Sequence, residues 1–312
     1  MTKNRKFMKK ASIETPSYIK IFNRGFLPDR IKKLKEILSE CTLCPRNCRV
    51  DRVRGEKGFC KGGANARVSS VEPHFGEEAP LVGRNGSGTI FFTYCNLGCV
   101  FCQNYDISHL GHGEELPASE LASQMLYLQG IGCHNINLVT PTHFVPQIVE
   151  ALEIAIKDGL RLPVVFNCGG YESLEVLKLL EGIIDIYMPD AKFCDEKLSE
   201  RFCHAKDYYK ILKEALKEMQ SQVGVLRMDD MGIASRGVLI RHLVMPNNLA
   251  GSEEVLRFVA QELSTESYVN IMRQYYPCYK AGDYPEISRS ITPQEYNRAC
   301  EIGKSYGLHR GF

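Results

Sequence analysis

Long hydrophobic runs are missing from this chain of 312 residues. No uninterrupted apolar stretch approaches the roughly 20 residues that cross a bilayer, so a membrane-spanning protein is not expected. The first ten residues, MTKNRKFMKK, lack the apolar segment of a secretory signal. The sequence also shows no internal repeat and no low-complexity tract, which argues against a repeat architecture. These absences predict a soluble, globular, cytoplasmic protein that does not associate with membranes.

The charge is nearly balanced over the whole chain but not along it. The formal net charge is +2, yet residues 1–67 hold 18 Lys and Arg against 6 Asp and Glu. A basic segment can attract an acidic protein or a nucleic acid, but it is more often a solvated face. We expect a solvated face here, keep a protein partner open and do not expect nucleic-acid binding.

Hydrophobic periodicity divides the chain into three parts. Residues 1–26 show no clear period and are expected to be irregular, whereas apolar residues then recur at helical spacing and predict a short amphipathic helix. We therefore predict a basic leader with this helix over 1–40, a cysteine-rich extension over 41–67 and a main domain over 68–312. The residues that define the helix are Leu27, Ile31, Leu34, Ile37 and Leu38.

The main domain alternates apolar, β-branched runs with helical patterns. Six such units predict parallel strands joined by right-handed crossovers, and six are too few to close an eight-stranded barrel. The predicted fold is thus α/β, an open, partial (β/α)6 barrel with sites at the carboxyl ends of its strands. The predicted strands are 89–93, 136–139, 164–166, 183–187, 238–244 and 268–272, and the predicted helices are 118–128, 145–157, 174–180, 206–222 and 253–263.

Thirteen cysteines in a chain without an export signal indicate metal ligation rather than disulfides. Cys95, Cys99 and Cys102 follow the first predicted strand in the spacing C-x3-C-x2-C. Three thiolates on a four-iron cluster leave one iron open to an outside ligand, which suits chemistry better than simple electron transfer. The alternatives are three unrelated thiols or a zinc site, which would need a fourth ligand such as His109 or His112.

A second group of cysteines precedes the barrel. Cys41, Cys44, Cys48 and Cys60 supply four thiolates among turn-forming Pro and Gly residues. Such a set can hold either an auxiliary iron-sulfur cluster or a structural zinc ion, and the spacing alone does not choose between them.

The cysteine spacing, with aromatic Phe101 before the last ligand, resembles the signature of the radical S-adenosylmethionine (SAM) superfamily. The segments CTLCPRNCRVDR, GTIFFTYCNLGCVFCQNYDIS, DIYMPDAKF and YVNIMRQYYPCYKAGDYPEI are similar to the pyruvate formate-lyase activating enzyme group, in particular its iron-sulfur branch. The resemblance covers nearly all of residues 41–307. It implies a 4Fe-4S cluster on the triplet, SAM on the open iron and Phe101 beside the adenine.

The resemblance also implies further cofactor contacts. Lys192 in Asp190-Ala191-Lys192 would approach the SAM carboxylate, and His242 would lie near the ribose or methionine portion. The Gly-Gly-Glu segment that contacts the SAM amino group in that group is replaced here by Thr140-Pro141-Thr142. Thr140 and Thr142 still offer acceptors for an ammonium. By the same resemblance, Asn167, Cys168, Met188 and Asp190 would form a monovalent-cation site near SAM. Apart from the resemblance, Asn247 and Asn248 follow the fifth predicted strand and could add polar contacts. Tyr276 and Cys278 have side chains that can relay hydrogen atoms or electrons, but aromatic-rich segments are more often packing.

The predicted function follows from these cofactors. A reduced cluster cleaves SAM, and the 5'-deoxyadenosyl radical abstracts hydrogen from a substrate, which by resemblance is a glycine in a glycyl-radical partner enzyme. A flavodoxin- or ferredoxin-type protein would donate the electron. The alternatives are a radical SAM enzyme that acts on a small molecule or another macromolecule, an electron carrier that does not cleave SAM, and a zinc module that binds nucleic acid.

Overall fold

A single mixed sheet forms the centre of the computed structural model, which describes residues 15–312. Six of its strands are parallel neighbours in the order β2, β4, β5, β6, β8, β9, and they match the six predicted strands. β1 and then β3 extend the sheet antiparallel beyond β2, and β7 pairs antiparallel with β8. The strands are β1 Ala66–His74, β2 Ser87–Phe92, β3 Glu114–Leu116, β4 Ile136–Val139, β5 Val164–Cys168, β6 Ile186–Ala191, β7 Arg227–Met228, β8 Ala234–Leu243 and β9 Tyr268–Met272.

Helices connect the parallel strands and cover the outside of the sheet. The five helices predicted between the strands correspond to α5, α6, α7, α9 and α10, the last continued by a π-helical turn over Val259–Leu263. The helices are α1 Ser17–Asn23, α2 Leu27–Glu36, α3 Ala79–Val82, α4 Tyr105–Ser108, α5 Ala118–Gly130, α6 Val145–Lys157, α7 Leu174–Leu179, α8 Glu196–Cys203, α9 Tyr208–Val223, α10 Ser252–Phe258 and α11 Pro293–Ser305.

The burial of apolar side chains explains how the sheet and the helices pack together. β5 is buried along its whole length, as expected for a parallel strand covered on both faces. α2 buries Leu27, Ile31 and Leu34 and packs against α6 and α7 on the outside of the barrel, so the predicted amphipathic helix is confirmed. β3, at one end of the sheet, and β9, beyond β8 at the other, do not pair with each other, so the sheet stays open between them. The predicted open α/β partial barrel is therefore confirmed.

Several expectations need correction. Residues 15–26 are not irregular, because α1 forms there and its Tyr18 is fully buried, with its hydroxyl donating to Leu162 O at 2.7 Å. Residues 1–14 lie outside the described part of the chain. The strand predicted over 183–187 begins instead at Ile186 and runs through Pro189 and Asp190. Proline and aspartate are uncommon in strands, so the sequence pattern does not indicate a strand there.

Three strands and several helices lie where the sequence predicted none. β1 carries Ser70, Glu72 and His74, so its sequence lacks an apolar pattern, and it spans the boundary predicted at residues 67 and 68. α11 begins with a capping box between Thr292 and Glu295. None of the helices within residues 15–312 has both the length and the apolar character needed to cross a membrane.

Candidate active site

The predicted cysteine triplet lies at the carboxyl end of β2, as expected. Tyr94, with a φ of 65°, turns the chain into the loop that carries the three cysteines. All three line one cavity of about 230 Å³, together with residues that end β4, β5, β6, β8 and β9. The triplet and the strand ends thus form one site.

The thiols of the triplet have polar neighbours. Leu97 N donates to Cys95 Sγ at 3.3 Å, and Cys102 Sγ lies 3.1 Å from Ser108 Oγ. Burial raises the pKa of Cys95, and it raises that of Cys102 to about 11. Deprotonated thiolates in this pocket therefore require a compensating positive charge.

Cys99 differs from the other two cysteines. The Sγ of Cys203, on α8, lies 3.3 Å from the Sγ of Cys99. The hydrogen bond between the two thiols lowers the pKa of Cys99 against the effect of burial, and Lys192 also lowers it. Cys203, a cysteine outside both predicted groups, is thus in contact with the triplet.

Phe101 is buried and lines the cavity. Its ring meets those of Phe193 and Tyr275 edge-on, at centroid distances of 5.8 and 6.0 Å. These contacts fix an apolar wall beside the triplet, where the resemblance expects an adenine ring.

Opposite the triplet, a network of charged side chains ends β6 and β8. Asp190 accepts from Lys192 Nζ at 2.6 Å and from Arg241 Nε at 2.7 Å. Burial alone would raise the pKa of Asp190, but Arg241 and Lys192 hold it below its ordinary value. Burial likewise opposes the charge of Lys192, but Asp190 raises its pKa, so both residues are charged at neutral pH.

Arg241 also joins this network to the barrel interior. Its Nη2 donates to Asn167 Oδ1 at 2.8 Å, so the guanidinium lies between Asn167 and Asp190. Its Nη1 lies 3.6 Å from Glu77 and 3.9 Å from Glu78, two residues just before α3. Burial raises the pKa of Glu77 to about 7, against the opposing effect of Arg241.

The two threonines have different surroundings. Thr140 lines the cavity with a φ of 59°, and its N–H donates to Asn167 O at 2.8 Å. Thr142 does not line the cavity, and its hydroxyl donates to buried Glu172 Oε1 at 3.0 Å. Burial raises the pKa of Glu172 to about 7. Only Thr140 is therefore placed to meet a ligand directly.

His242 points away from the cavity. Its Nδ1 lies 2.8 Å from Ala191 O and its Nε2 lies 2.9 Å from Ser252 Oγ, and the residue is fully buried. Because neighbouring strand residues face opposite sides, Arg241 enters the cavity where His242 was expected. Cys168 and Asn167 line the cavity, whereas the other expected residues do not: Met188, Asn247, Asn248, Tyr276 and Cys278.

The four cysteines of the extension, Cys41, Cys44, Cys48 and Cys60, lie apart from this cavity; they are called the leader cysteines below. All four line a second, smaller cavity of about 10 Å³. Arg46 connects the two regions, because its Nε donates at 2.9 Å to the carbonyl of Asn96, within the triplet loop.

Sequence reasoning missed the side chains that contact these centres. Glu77 and Glu78 lie in a connection with no motif, and Cys203 and Glu172 lie far from the triplet in sequence. The position of Arg241 in the cavity could have been predicted, because side chains alternate along β8 and only one of the neighbours Arg241 and His242 can face the cavity.

An unclosed parallel α/β sheet with a cysteine triplet at the end of its first parallel strand defines a class of iron-sulfur enzyme. The family model of the Radical SAM superfamily matches residues 89–259, and the chain belongs to this superfamily. Its cofactors are a 4Fe-4S cluster and SAM. The side chains fit both, because three thiols and two half-buried cations, Lys192 and Arg241, share one cavity, and these suit iron and a carboxylate respectively.

Two curated relatives come from Methanocaldococcus jannaschii. The uncharacterized protein MJ0674 is 34% identical over 289 residues, covering 89% of this chain and 78% of that protein. The uncharacterized protein MJ0808 is 25% identical over 295 residues, covering 88% and 82%.

Two solved structures are also similar to this chain. TYW1 with a lysine-pyruvate adduct bound aligns at 13% identity and a TM-score of 0.44, over 70% of this chain and 73% of that one. HydG, a maturase of the FeFe-hydrogenase, aligns at 14% identity and a TM-score of 0.47, over 93% and 57%.

Proposed function

We propose that this enzyme cleaves SAM reductively and directs the 5'-deoxyadenosyl radical at a polypeptide, a glycine of a glycyl-radical partner enzyme. The observation that carries the SAM-cleavage part is the single cavity shared by Cys95, Cys99, Cys102, Lys192 and Arg241. When bound, the cluster and SAM supply the electron transfer and the radical chemistry.

The chain's own residues would bind and orient SAM. The three thiolates would hold the cluster, and Phe101 would present an apolar wall to the adenine. Lys192 would donate to the SAM carboxylate, with Asp190 holding its ammonium in place at 2.6 Å. Thr140 would offer its hydroxyl or carbonyl to the amino group.

Two features support a polypeptide target. The first is the sequence similarity to the activating enzymes. The second is the unclosed edge of the sheet, because Gln274 and Tyr275, which follow β9, line the cavity at that side. An extended peptide loop could enter there without unfolding the barrel.

An acidic electron donor is the second partner we propose, of the flavodoxin or ferredoxin type. The other side of the triplet loop forms a cavity of about 280 Å³ that Cys95 also lines. Lys61, His109, His204 and Lys280 surround it, and no carboxylate is among its described lining residues. Lys61 and Lys280 make this surface cationic close to a cluster ligand, which suits a negatively charged donor.

SAM cleavage is tested first. Anaerobically reconstituted protein with SAM and a strong reductant should yield 5'-deoxyadenosine and methionine. Cys95→Ala, Cys99→Ala and Cys102→Ala should each abolish this yield, whereas Cys133→Ala, a buried cysteine outside both groups, should keep it. Unchanged cleavage in all three triplet variants would refute the assignment.

The substrate is tested second. Incubation with SAM, reductant and candidate glycyl-radical enzymes should produce a glycyl doublet in electron paramagnetic resonance. If no candidate gives the doublet while a small molecule from cell extract stimulates deoxyadenosine formation many-fold, the polypeptide assignment fails and a small-molecule substrate replaces it.

A further inference from the structure

Cys203 is a thiol that the proposed function does not use, and it lies against a residue of the cysteine triplet. Its Sγ is 3.3 Å from the Sγ of Cys99, and among residues 15–312 this is the one hydrogen bond between two cysteine sulfurs. All thirteen cysteines are free, so both thiols are reduced in this structure. Because a disulfide bond is about 2.05 Å long, the two sulfurs need to approach by only about 1.3 Å to be joined.

The backbone already holds the two residues side by side. Gly98 N donates to Cys203 O at 3.1 Å. Val100 N donates to Phe202 O at 2.9 Å, so hydrogen bonds join the chain on both sides of Cys99 to the end of α8. A disulfide forms without backbone movement only between cysteines whose Cα atoms lie within about 7 Å of each other. Backbone hydrogen bonds between two adjacent segments bring opposite residues into that range.

Two further contacts keep the triplet loop and the end of α8 together. Arg46 donates to the carbonyl of Asn96 at 2.9 Å and also to the carbonyl of His204, so one guanidinium bonds both segments. A Cβ atom added at Gly98 would lie 2.8 Å from His204 Cδ2, and the close approach of the segments therefore requires glycine at this position. The contact between the two thiols thus depends on the packing of two segments and not only on the conformations of the cysteine side chains.

Access to the pair depends on what fills the cavity. Cys203 is fully buried, whereas Cys99 lines the cavity of about 230 Å³ that the cluster and SAM would share. A small oxidant can therefore reach the Cys99 sulfur through this cavity when no cluster occupies it. A thiolate that is bound to iron cannot at the same time form a disulfide, so cluster ligation and disulfide formation exclude each other.

We infer that Cys203 is a resolving cysteine for Cys99: in protein without its cluster, hydrogen peroxide oxidises Cys99, and the two residues then form a reversible disulfide. One peroxide converts the Cys99 thiol to a sulfenic acid and releases one water. The Cys203 thiol then forms the S–S bond and releases a second water, so the two thiols together lose the two electrons that the peroxide gains. A dithiol reductant restores both thiols, and Cys99 can again bind iron.

The disulfide would protect a cluster ligand from irreversible damage. A sulfenic acid without a neighbouring thiol reacts with a further peroxide to give a sulfinic acid, which dithiols do not reduce. The other triplet thiols have different neighbours, since Cys102 Sγ lies 3.1 Å from the hydroxyl of Ser108 and Cys95 Sγ accepts from Leu97 N. Neither neighbour can form a disulfide, so the protection is specific to Cys99.

The first test uses the full, unmodified chain after anaerobic removal of metal by a chelator. Stoichiometric hydrogen peroxide, followed by alkylation of free thiols and digestion without reductant, should give a cross-linked peptide pair that contains Cys99 and Cys203. Mass spectrometry identifies the pair, and dithiothreitol should abolish it. The inference is overturned if Cys99 is linked mainly to Cys95 or Cys102, or if it is oxidised without a cross-link.

The second test measures the protection with a variant. After excess peroxide and then dithiothreitol, Cys203→Ala should carry several-fold more Cys99 as sulfinic acid than the unmodified protein. Cys133→Ala, which removes a buried cysteine elsewhere, should match the unmodified protein. Equal recovery of the Cys99 thiol in all three proteins would refute the role of Cys203. Neither test uses SAM or a substrate, so its failure leaves the proposed function intact, and a failure of SAM cleavage leaves this inference intact.

Discussion

At the scale of single residues, Arg241 is the cation that contacts the carboxylates of the site. It contacts three carboxylates and an amide inside the barrel. Arg241→Met should lower the free energy of unfolding by about 3–5 kcal/mol, because it leaves Glu77 and Glu78 without a cation and Asp190 with Lys192 alone. Urea unfolding under anaerobic, reducing conditions measures this. Arg257→Met, which removes an exposed ion pair on α10, should change stability little; a similar loss in both variants would contradict the role assigned to Arg241.

Cys203 should tune the radical cluster rather than bind it. Its thiol hydrogen-bonds to Cys99 Sγ, and such bonds stabilise the more negative, reduced form of a cluster. Cys203→Ala should therefore shift the midpoint potential to a more negative value without changing the iron content. A potentiometric titration followed by paramagnetic resonance measures the shift, with Cys300→Ala as the control. Loss of iron in Cys203→Ala would instead make it a ligand.

Glu172 should make stability depend on pH. Its pKa is about 7 in the folded protein against 4.5 ordinarily, so the folded state keeps a proton that the unfolded state has lost. Its stabilising contribution is full below about pH 4.5 and decreases until about pH 7, a change of about 3 kcal/mol. Glu172→Gln should remove this decrease. Unfolding curves at several pH values compare it with Glu301→Gln, an exposed control, and parallel pH profiles for all three proteins would contradict the prediction.

At the scale of elements, the apolar pattern predicted the six parallel strands and five helices because their burial requires it. The apolar pattern did not predict the segments in which burial does not determine the residue types. β1 is largely polar at the edge of the parallel strands, and β6 contains Pro189 and Asp190. The cysteine spacing and the strand-end rule located the candidate site. Alternation along β8 could have placed Arg241 in the cavity. Its contacts with Glu77 and Glu78, and the contact of Cys203 with Cys99, could not be predicted, because they join residues far apart in sequence.

α2 should be needed to hold the leader against the barrel. Leu34 is fully buried between this helix and its neighbours α6 and α7. Leu34→Ala should lower the free energy of unfolding by about 2–5 kcal/mol through the lost burial and the cavity that remains. Lys33→Ala, on the exposed face of the same helix, should have little effect. Equal stability of the two variants by anaerobic urea unfolding would show that α2 does not pack as described.

At the scale of the whole molecule, the uneven distribution of charge predicts which surface an electron donor binds. Lys61→Glu combined with Lys280→Glu should slow cluster reduction by an acidic flavodoxin, because it reverses the charge around the cavity beside Cys95. Added salt should slow the unmodified protein more than this variant. Stopped-flow absorbance measures the rate. Reduction by dithionite should be similar in both, and Lys304→Glu on α11 serves as the control. Unchanged rates with flavodoxin would exclude this surface.

The bonds of Arg46 have a consequence for the synthesis of the chain. This residue donates to the carbonyls of Asn96 and His204, which lie 50 and 158 positions later. Chains emerge from the ribosome N-terminus first at about 5–20 residues per second, so His204 follows Arg46 by on the order of ten seconds. During that interval the four leader cysteines have been synthesised, but the later residue His204, whose carbonyl holds Arg46 beside them, has not. Metal or oxygen that reaches the nascent chain in this time meets four open cysteines.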